Sequence, residues 1–298
     1  MRVFVTGATG FIGSAVVNEL ISAGHQVVGL ARTDKAVSEL TAARAEVHRG
    51  SLDDLDSLRS GSASADGVIH LAFKHDFSDY EGALAADLRA VETIGAALEG
   101  SGKPFVNTSG TLMMLGVTPP GTIGTEEIVA GQHARGASEN TALAFAKRGV
   151  RSSVVRLSPS VHGEGDQGFV SYLIGVARTK GAAAYVGDGS NRWPAVHRLD
   201  AARLFRLALE QAPAGSILHG VGDEGVPFRD IAEVIGRHLG VPVVSIPREE
   251  ADAHFGFLGA FASADNPTSS ALTQQRLEWQ PKEPGLIEDL EQGHYFKN

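Results

Sequence analysis

Residues 1–30 decide the fold and read MRVFVTGATGFIGSAVVNELISAGHQVVGL. Arg2–Thr6 is a short run of β-branched and aromatic residues, which predicts a buried strand. A glycine-rich turn follows, and apolar residues then recur at helical spacing over 11–23, where Gly24 is a typical C-terminal cap. Residues 26–30 predict a second strand. The stretch is therefore a βαβ unit, whose right-handed crossover pairs parallel strands.

The alternation of strand and helix continues to residue 157. Further strands are predicted near residue 46 and at 67–71, 104–108 and 152–157. The helices predicted between them lie at 35–43, 52–59, 82–98 and 138–147. This rhythm predicts an α/β fold built on a doubly wound parallel sheet of the Rossmann type.

After residue 157 the rhythm breaks. Glycines and polar residues dominate 158–168, which predicts a loop over the site. Helices are expected at 170–178, 200–210 and 227–239, with short strands near 184 and at 216–219. We expect a dinucleotide-binding domain at 1–157, completed by about 195–220. A smaller C-terminal substrate lobe is expected at 158–194 and 221–298.

Composition excludes several classes of function. With 43% hydrophobic and 20% charged residues, the 298-residue chain is an ordinary globular protein. Its net charge of −9 argues against nucleic acid and anionic membranes as partners. The absence of cysteine excludes disulfides and thiolate metal sites, and the histidines show no metal-ligand spacing, so no metal is expected. Without a transmembrane run or a signal-peptide pattern, a cytoplasmic location is expected.

The stretch TGATGFIG at 6–13 predicts a dinucleotide site. Its three glycines have the spacing GxxGxxG, which serves a tight turn, close approach of the backbone to a pyrophosphate, and close packing of helix on sheet. The helix N-terminus then offers free N–H groups to the phosphates. An ordinary glycine turn is the alternative, but the strand before it and the helix after it favour a cofactor. The residues expected to contact the cofactor here are Gly7, Thr9, Gly10, Phe11, Ile12 and Gly13.

The end of the second predicted strand favours NADP over NAD. An NAD site usually places an acidic residue there for the ribose hydroxyls. This sequence reads LART at 30–33 and has no acid. Arg32 can pair with a 2′-phosphate through its planar guanidinium, although a solvated surface arginine is the alternative.

Five motifs resemble the extended short-chain dehydrogenase/reductase family, which also includes nucleotide-sugar epimerases and dehydratases. They are TGATGFIG at 6–13, HLA at 70–72, TSGT at 108–111, VVRLSPSVHG at 154–163 and YVGDGSNRWPAVHRLDAARL at 185–204. The resemblance covers nearly the whole chain. It implies the fold, a nicotinamide cofactor, a small-molecule substrate and a homodimer formed through the helix at 82–98.

The resemblance also implies further cofactor contacts. They are Leu71 and Ala72 near the ribose, Ser51 and Leu52 near the adenine, and Ser158 and Val161 near the nicotinamide. Two positions depart from the family pattern, which often has Asp at 51 and usually Pro at 158. The backbone near residue 158 is therefore expected to differ.

The main departure from the family is the missing catalytic tyrosine. The family places its proton donor four residues before a lysine, and this sequence contains no YxxxK. The two slots align with Gly131 and Arg135. Arg135 can hold a positive charge there but cannot act as an acid near neutral pH.

Three other residues are candidates for catalysis. Ser109 matches the family's active-site hydroxyl, with Thr111 nearby, although a strand-end hydroxyl satisfied by the backbone is an equal alternative. His75, on the loop after the fourth strand, can exchange a proton in the useful range. The other groups considered as replacements for the tyrosine are His162, Tyr185 and His197.

These observations lead to three hypotheses. The leading one is an NADP-dependent oxidoreductase acting on a small carbonyl or hydroxyl compound, with Ser109 orienting the substrate oxygen. The second is a nucleotide-sugar epimerase or dehydratase, which needs cations for a diphosphate. The local candidates for that role are Arg178, Arg192, Arg198 and Arg203. The third is a non-catalytic regulator that senses NADP(H).

Overall fold

The computed structural model describes residues 1–75, 79–119, 121–132 and 135–297. The strands in these ranges are β1 (Arg2–Thr6), β2 (Gln26–Ala31), β3 (Glu46–Arg49), β4 (Gly67–His70), β5 (Pro104–Gly110), β6 (Arg151–Leu157), β7 (Ser160–His162), β8 (Ala183–Val186), β9 (Arg192–His197), β10 (Ser216–Gly220), β11 (Asp223–Pro227) and β12 (Val243–Ile246). The helices are α1 (Phe11–Ser22), α2 (Asp34–Ala42), α3 (Leu55–Ala63), α4 (Tyr80–Leu98), α5 (Gly136–Ala144), α6 (Phe169–Lys180), α7 (Arg198–Gln211), α8 (Phe228–Leu239), α9 (Ala251–Phe255), α10 (Gly259–Ala262), α11 (Ala271–Leu277) and α12 (Leu286–Glu291).

Seven parallel strands form the central sheet, in the order β10-β6-β5-β4-β1-β2-β3. The predicted α/β fold with a doubly wound parallel sheet is confirmed. The strand order reverses between β1 and β4, and in such sheets ligands bind beyond the carboxyl ends of the strands at this reversal. The glycine turn at 7–13 follows β1, so the fold places it at that crevice.

Apolar side chains cover both faces of the sheet, as a parallel sheet with helices on each side requires. On one face, helices α1, α2 and α7 pack against strand residues that include Val3, Val5, Val106 and Val155. On the other face, α3, α4 and α5 pack against residues that include Phe4, Val68, Phe105 and Val154. The sheet is therefore packed between two apolar cores.

The prediction of a loop at 158–168 was wrong, and a further strand was not predicted. β7 lies within 158–168, and β9 runs through the segment around Trp193. Pro194 made β9 hard to predict, because proline has no backbone N–H to donate to a neighbouring strand. In the structure Pro194 lies opposite an irregularity in the ladder between β9 and β11, and pairing with β7 begins only at the next residue. Trp193 is fully buried in a second apolar core formed mainly by α6, α8 and β8.

The chain leaves the sheet after β6 and returns to it at β10. Ser158 fastens the two strand ends together, since both its backbone N–H and its hydroxyl donate to the carbonyl of Gly220, at 3.2 and 2.9 Å. Helix α7 leads the chain back into the sheet. The segments on either side of β10 build the second apolar core.

Helix α4 buries most of its apolar stripe against its own sheet. Val91, Ile94 and Leu98 are buried there, whereas Leu84 and Leu88 are half-buried. Intrachain packing therefore explains most of the pattern, and the homodimer stays a prediction. In the described part of the chain, no helix has both the length and the apolar character needed to cross a membrane.

Candidate active site

The glycine turn has the close approaches that its spacing predicts. Gly7 has a φ of +67°, and a Cβ placed on it would lie 2.7 Å from the backbone nitrogen of Ala72. A Cβ on Gly13 would lie 1.9 Å from the carbonyl oxygen of Gly7. Only glycine fits at either position, because a side chain would push the turn away from β4 or the helix away from the turn.

The mouth of α1 fits a dinucleotide pyrophosphate. Gly10 is the N-cap and provides no side-chain cap, so the first N–H groups of the helix keep their capacity to bind a ligand. Gly10 is exposed, while Thr9, Phe11 and Ile12 are half-buried around it. Leu71 and Ala72 lie directly against Gly7. The structure thus brings most of the predicted cofactor residues together at one edge of the sheet.

The predicted adenosine end lies beyond β2 and β3. Arg32 is exposed directly after β2, and it forms no ion pair with any described residue. Nζ of Lys35, three residues later, lies 3.7 Å from Oε1 of Glu39. Ser51 and Leu52 are half-buried on the loop after β3. These positions leave the Arg32 guanidinium available to an anion.

Lys74 connects two loops at the same edge. Its ammonium lies 2.6 Å from a carboxylate oxygen of Asp53, which joins the loop after β4 to the loop after β3. Lys74 therefore has a structural partner.

Ser109 lies near the end of β5, and its hydroxyl is buried. The side chain is 2% exposed, and among the described residues nothing forms a hydrogen bond with its Oγ. The backbone thus leaves this hydroxyl unsatisfied. Thr111 differs, because its Oγ1 accepts a hydrogen bond from Nδ2 of Asn266 at 3.0 Å. Ser109 is the better placed of the two to orient a substrate oxygen.

Arg135 reaches the same strand end from the start of α5. Its Nη2 donates to the carbonyl oxygen of Thr108 at 2.8 Å, and its guanidinium stacks 4.5 Å from the ring centroid of Phe73. The same Nη2 lies 3.6 Å from Oδ1 of Asp87. The aligned tyrosine slot, Gly131, offers no side chain. The structure therefore places a fixed cation, but no phenol from that slot, beside β5.

Asp87 and His70 are site residues that sequence reasoning missed. Asp87 is 1% exposed, and its Oδ1 lies 3.5 Å from Nε2 of His70. Nδ1 of His70 lies 2.7 Å from the hydroxyl of Thr6. Burial raises the pKa of Asp87, but His70 and Arg135 outweigh it and leave the pKa below its usual range. The available signal was a lone acid on the apolar face of the predicted helix.

His75, one of the proposed proton donors, shares a contact with Arg135. Its ring centroid lies 5.4 Å from that of Phe73, the ring that also carries the guanidinium. Partial burial, and then the charge of Arg135, lower the pKa of His75. Tyr80, which has no lysine four residues later, packs on the same Phe73 ring with a centroid distance of 6.3 Å.

The other proposed donors have contacts elsewhere. His162 is buried, and its Nδ1 lies 2.9 Å from a carboxylate oxygen of Asp289. Tyr185 lies on β8 beneath the guanidinium of Arg229. His197 is the N-cap of α7, and its side chain accepts a hydrogen bond from the backbone N–H of Leu199. The structure does not bring these three residues to Arg135.

The arginines considered for a diphosphate are mostly occupied. The guanidinium of Arg192 makes two hydrogen bonds to Asp265, at 3.0 and 2.8 Å. Arg203 pairs with Asp200 and with Glu283. Arg178 donates to the carbonyl oxygen of Phe296. Arg198 stacks on the Phe11 ring instead.

The chain is similar in sequence to known proteins. The chain is 52% identical over 298 residues to an uncharacterized protein of Schizosaccharomyces pombe, which covers 99% of this chain and 100% of the relative. A 2-alkyl-3-oxoalkanoate reductase of Stenotrophomonas maltophilia is 26% identical over 258 residues, which cover 82% of this chain and 77% of the reductase.

Solved structures show the same fold. The crystal structure of UDP-glucose 4-epimerase from Thermotoga maritima with UDP-glucose matches with a TM-score of 0.79 and 20% identity, covering 99% of this chain and 98% of that one. The model described as the NAD dependent epimerase/dehydratase family matches residues 3–219. The chain therefore belongs to the NAD dependent epimerase/dehydratase family, within the extended short-chain dehydrogenase/reductase group that its motifs resemble.

Proposed function

We propose that this protein is an NADP-dependent oxidoreductase that transfers hydride to or from a small carbonyl or hydroxyl compound. One observation carries the proposal. At the carboxyl edge of the sheet, the buried Oγ of Ser109 lacks a partner among the described residues, beside the fixed cation of Arg135. A buried hydroxyl without a partner costs free energy, which a bound carbonyl oxygen would recover.

The proposed roles follow from the chemistry of each group. A bound nicotinamide dinucleotide supplies or accepts the hydride. Ser109 donates a hydrogen bond to the substrate oxygen, and the positive charge of Arg135 stabilises negative charge that develops on it. His75 gives the proton to that oxygen in reduction and takes it back in oxidation. These residues need no metal for this reaction.

The preference for NADP rests on Arg32. Its exposed guanidinium follows β2, where an acidic residue would repel a 2′-phosphate, and it holds no carboxylate among the described residues. A planar guanidinium suits two charge-assisted hydrogen bonds to a phosphate. Arg32 therefore supports NADP over NAD.

An apolar substrate is favoured by the segment between β5 and α5. This segment starts beside Ser109 and ends at Arg135, and several of its large apolar side chains are exposed. They are Leu115, Val117, Ile123 and Val129. Exposed apolar groups next to a site favour a ligand with an apolar part. The similarity to a reductase of alkyl-substituted oxoalkanoates agrees with this substrate class.

The two alternative functions have less support. A nucleotide-sugar epimerase or dehydratase needs cations for a diphosphate, and Arg192 and Arg203 are already paired with carboxylates. A non-catalytic regulator does not need the unsatisfied hydroxyl of Ser109. The fold neighbours keep the epimerase as the second candidate.

Cofactor titration followed by a substrate screen tests the proposal. We expect NADPH fluorescence to report binding, and absorbance at the nicotinamide band to fall with ketones, more so with longer alkyl chains. Turnover of a nucleotide sugar without net cofactor change would establish the epimerase instead. Binding without any turnover would establish the regulator.

The Arg32→Ala variant tests the cofactor preference. Loss of a charge-assisted contact to the 2′-phosphate is expected to weaken NADPH binding by about tenfold or more and to leave NADH binding nearly unchanged. Arg59→Ala, on the exposed face of α3, is the matched control. An equal loss for both dinucleotides would refute the role of Arg32.

A further inference from the structure

Helices α1 and α7 lie side by side and point the same way. Nε of Arg206 donates to a carboxylate oxygen of Glu19 at 2.7 Å. Eight residues earlier on each helix, the guanidinium carbon of Arg198 lies 5.1 Å from the ring centroid of Phe11. Eight residues rise about 12 Å in any α-helix, so both contacts keep one register. Arg198 is thereby held at the mouth of α1.

Gly163 packs closely against the aliphatic part of the Arg198 side chain. A Cβ on Gly163 would lie 3.3 Å from Cγ and 3.4 Å from Cδ of Arg198, and the φ of Gly163 is +136°. The chain after β7 therefore passes directly over the aliphatic part of Arg198. The guanidinium sits between the glycine turn and the segment after β6 that the nicotinamide is expected to approach.

The positive charge of Arg198 is not paired with a carboxylate of any described residue. Among the described residues it forms no ion pair, whereas its helix neighbours Arg203 and Arg206 both hold carboxylates. It is half-buried, begins α7 and faces the first turn of α1, so the positive ends of two helix dipoles lie beside it. The acid in the first turn of α7, Asp200, is already paired with Arg203. Arg198 and the two helix ends therefore give this place a positive potential that favours an anion.

We propose that Arg198 binds the pyrophosphate of the dinucleotide and closes over it from the α7 side, opposite the glycine turn. This inference rests on the cofactor part of the proposed function. It assigns Arg198 a different task from Arg32, because the pyrophosphate is common to NADPH and NADH while the 2′-phosphate is not. The guanidinium geometry suits two hydrogen bonds to neighbouring phosphate oxygens.

Fluorescence titration of purified full-length variants with NADPH and NADH tests the assignment. We expect Arg198→Gln to weaken the binding of both dinucleotides by a similar factor, about tenfold or more. Arg198→Lys keeps the charge and is expected to restore part of the affinity. Arg178→Gln, an exposed arginine on α6, is the matched control. Circular dichroism and thermal melts verify that each variant is folded.

Each outcome decides between the claims. If the wild-type protein binds neither dinucleotide, the proposed function and this inference both fail. If the wild type binds both and Arg198→Gln binds them equally well, only the role of Arg198 is refuted. An unchanged cofactor affinity with a raised KM for an anionic substrate would also overturn it, and would assign the anion to the substrate. A loss for NADPH alone would contradict a pyrophosphate contact.

Discussion

At the scale of single residues, the candidate site combines a buried hydroxyl that lacks a described partner with a group of buried charged side chains. The carboxylate of Asp87 lies between His70 and Arg135, so the buried charges compensate one another. The hydroxyl of Ser109 is left without a described partner. Buried polar groups usually have partners in a folded protein, so an exception at a sheet edge indicates a place for a ligand.

Replacing Ser109 by alanine should separate activity from stability. In Ser109→Ala we expect kcat for the ketone found by screening to fall about a hundredfold, since one donor to the developing oxyanion is lost. The free energy of unfolding should stay equal or rise slightly, because the substitution removes a buried hydroxyl that lacks a partner. Steady-state kinetics and thermal melts measure the two effects.

Ser153→Ala is the matched control for this prediction. Ser153 is a buried serine on the neighbouring strand β6, and its Oγ also lacks a described partner. Its removal should leave kcat unchanged. Wild-type kcat in Ser109→Ala would contradict the proposed role of the hydroxyl.

At the scale of elements, the unit formed by β1, α1 and β2 could be predicted, and strands β7 and β9 could not. The alternating periods of strand and helix and the glycine positions are local signals, so they are legible in the sequence. β7 has only three residues, and β9 pairs with β7 and β11, which both lie far from it along the chain. Pro194 argued against the strand in which it lies. Strand pairing of this kind is invisible to local patterns.

The candidate site shows the same division. Ser109, Arg135 and the glycine turn carried recognisable motifs or aligned slots, so the sequence identified them. The approach of Asp87 to His70 depends on how α4 packs on the sheet, and no spacing along the chain reveals it. The pairing of Arg192 and Arg203 with carboxylates is likewise a result of tertiary packing.

The join between α1 and β1 can be tested through Gly13. In Gly13→Ala the new Cβ would meet the carbonyl oxygen of Gly7, so the helix must move away from the turn. We expect a lower melting temperature and NADPH binding weakened by about tenfold or more. Gly175→Ala is the control, since a Cβ on this α6 residue meets nothing within 4 Å. The control should gain about 0.5–1 kcal/mol in stability. A Gly13→Ala protein with wild-type melting and affinity would refute the packing argument.

At the scale of the whole molecule, a buried polar cluster joins the sheet to the C-terminal segment. Arg156 on β6 pairs with Glu139 on α5, and neither side chain is exposed. His219 on β10 faces Arg156 with Nε2, while its Nδ1 donates to the carbonyl oxygen of Ser269 at 2.8 Å. Glu126 lies near this histidine and accepts two hydrogen bonds from Thr273. The cluster therefore ties α5, the sheet and α11 together.

This cluster predicts acid sensitivity. Burial is the main cause that lowers the pKa of His219 to about 4, while the nearby Glu126 opposes it. In the unfolded chain the histidine pKa is near 6.5. Between about pH 6.5 and 4, His219 is therefore protonated in the unfolded chain and neutral in the folded protein. Stability is therefore lost as the pH falls through this window, by up to about 3 kcal/mol.

Thermal melts at pH 7 and pH 5 measure this loss. His219→Gln should flatten the dependence of melting temperature on pH, even if it lowers the melting temperature at pH 7. His48→Gln separates the effect of His219 from the removal of any one histidine. An unchanged slope in His219→Gln would show that other groups cause the acid sensitivity.

The hydrogen bonds from Ser158 to Gly220 have a mechanical consequence. Two crossings between the sheet and the second core start from neighbouring strand ends, fastened to each other at one point. The bonds hold these two exits at a fixed separation, so the ends of β6 and β10 must move together in any motion that opens the crevice.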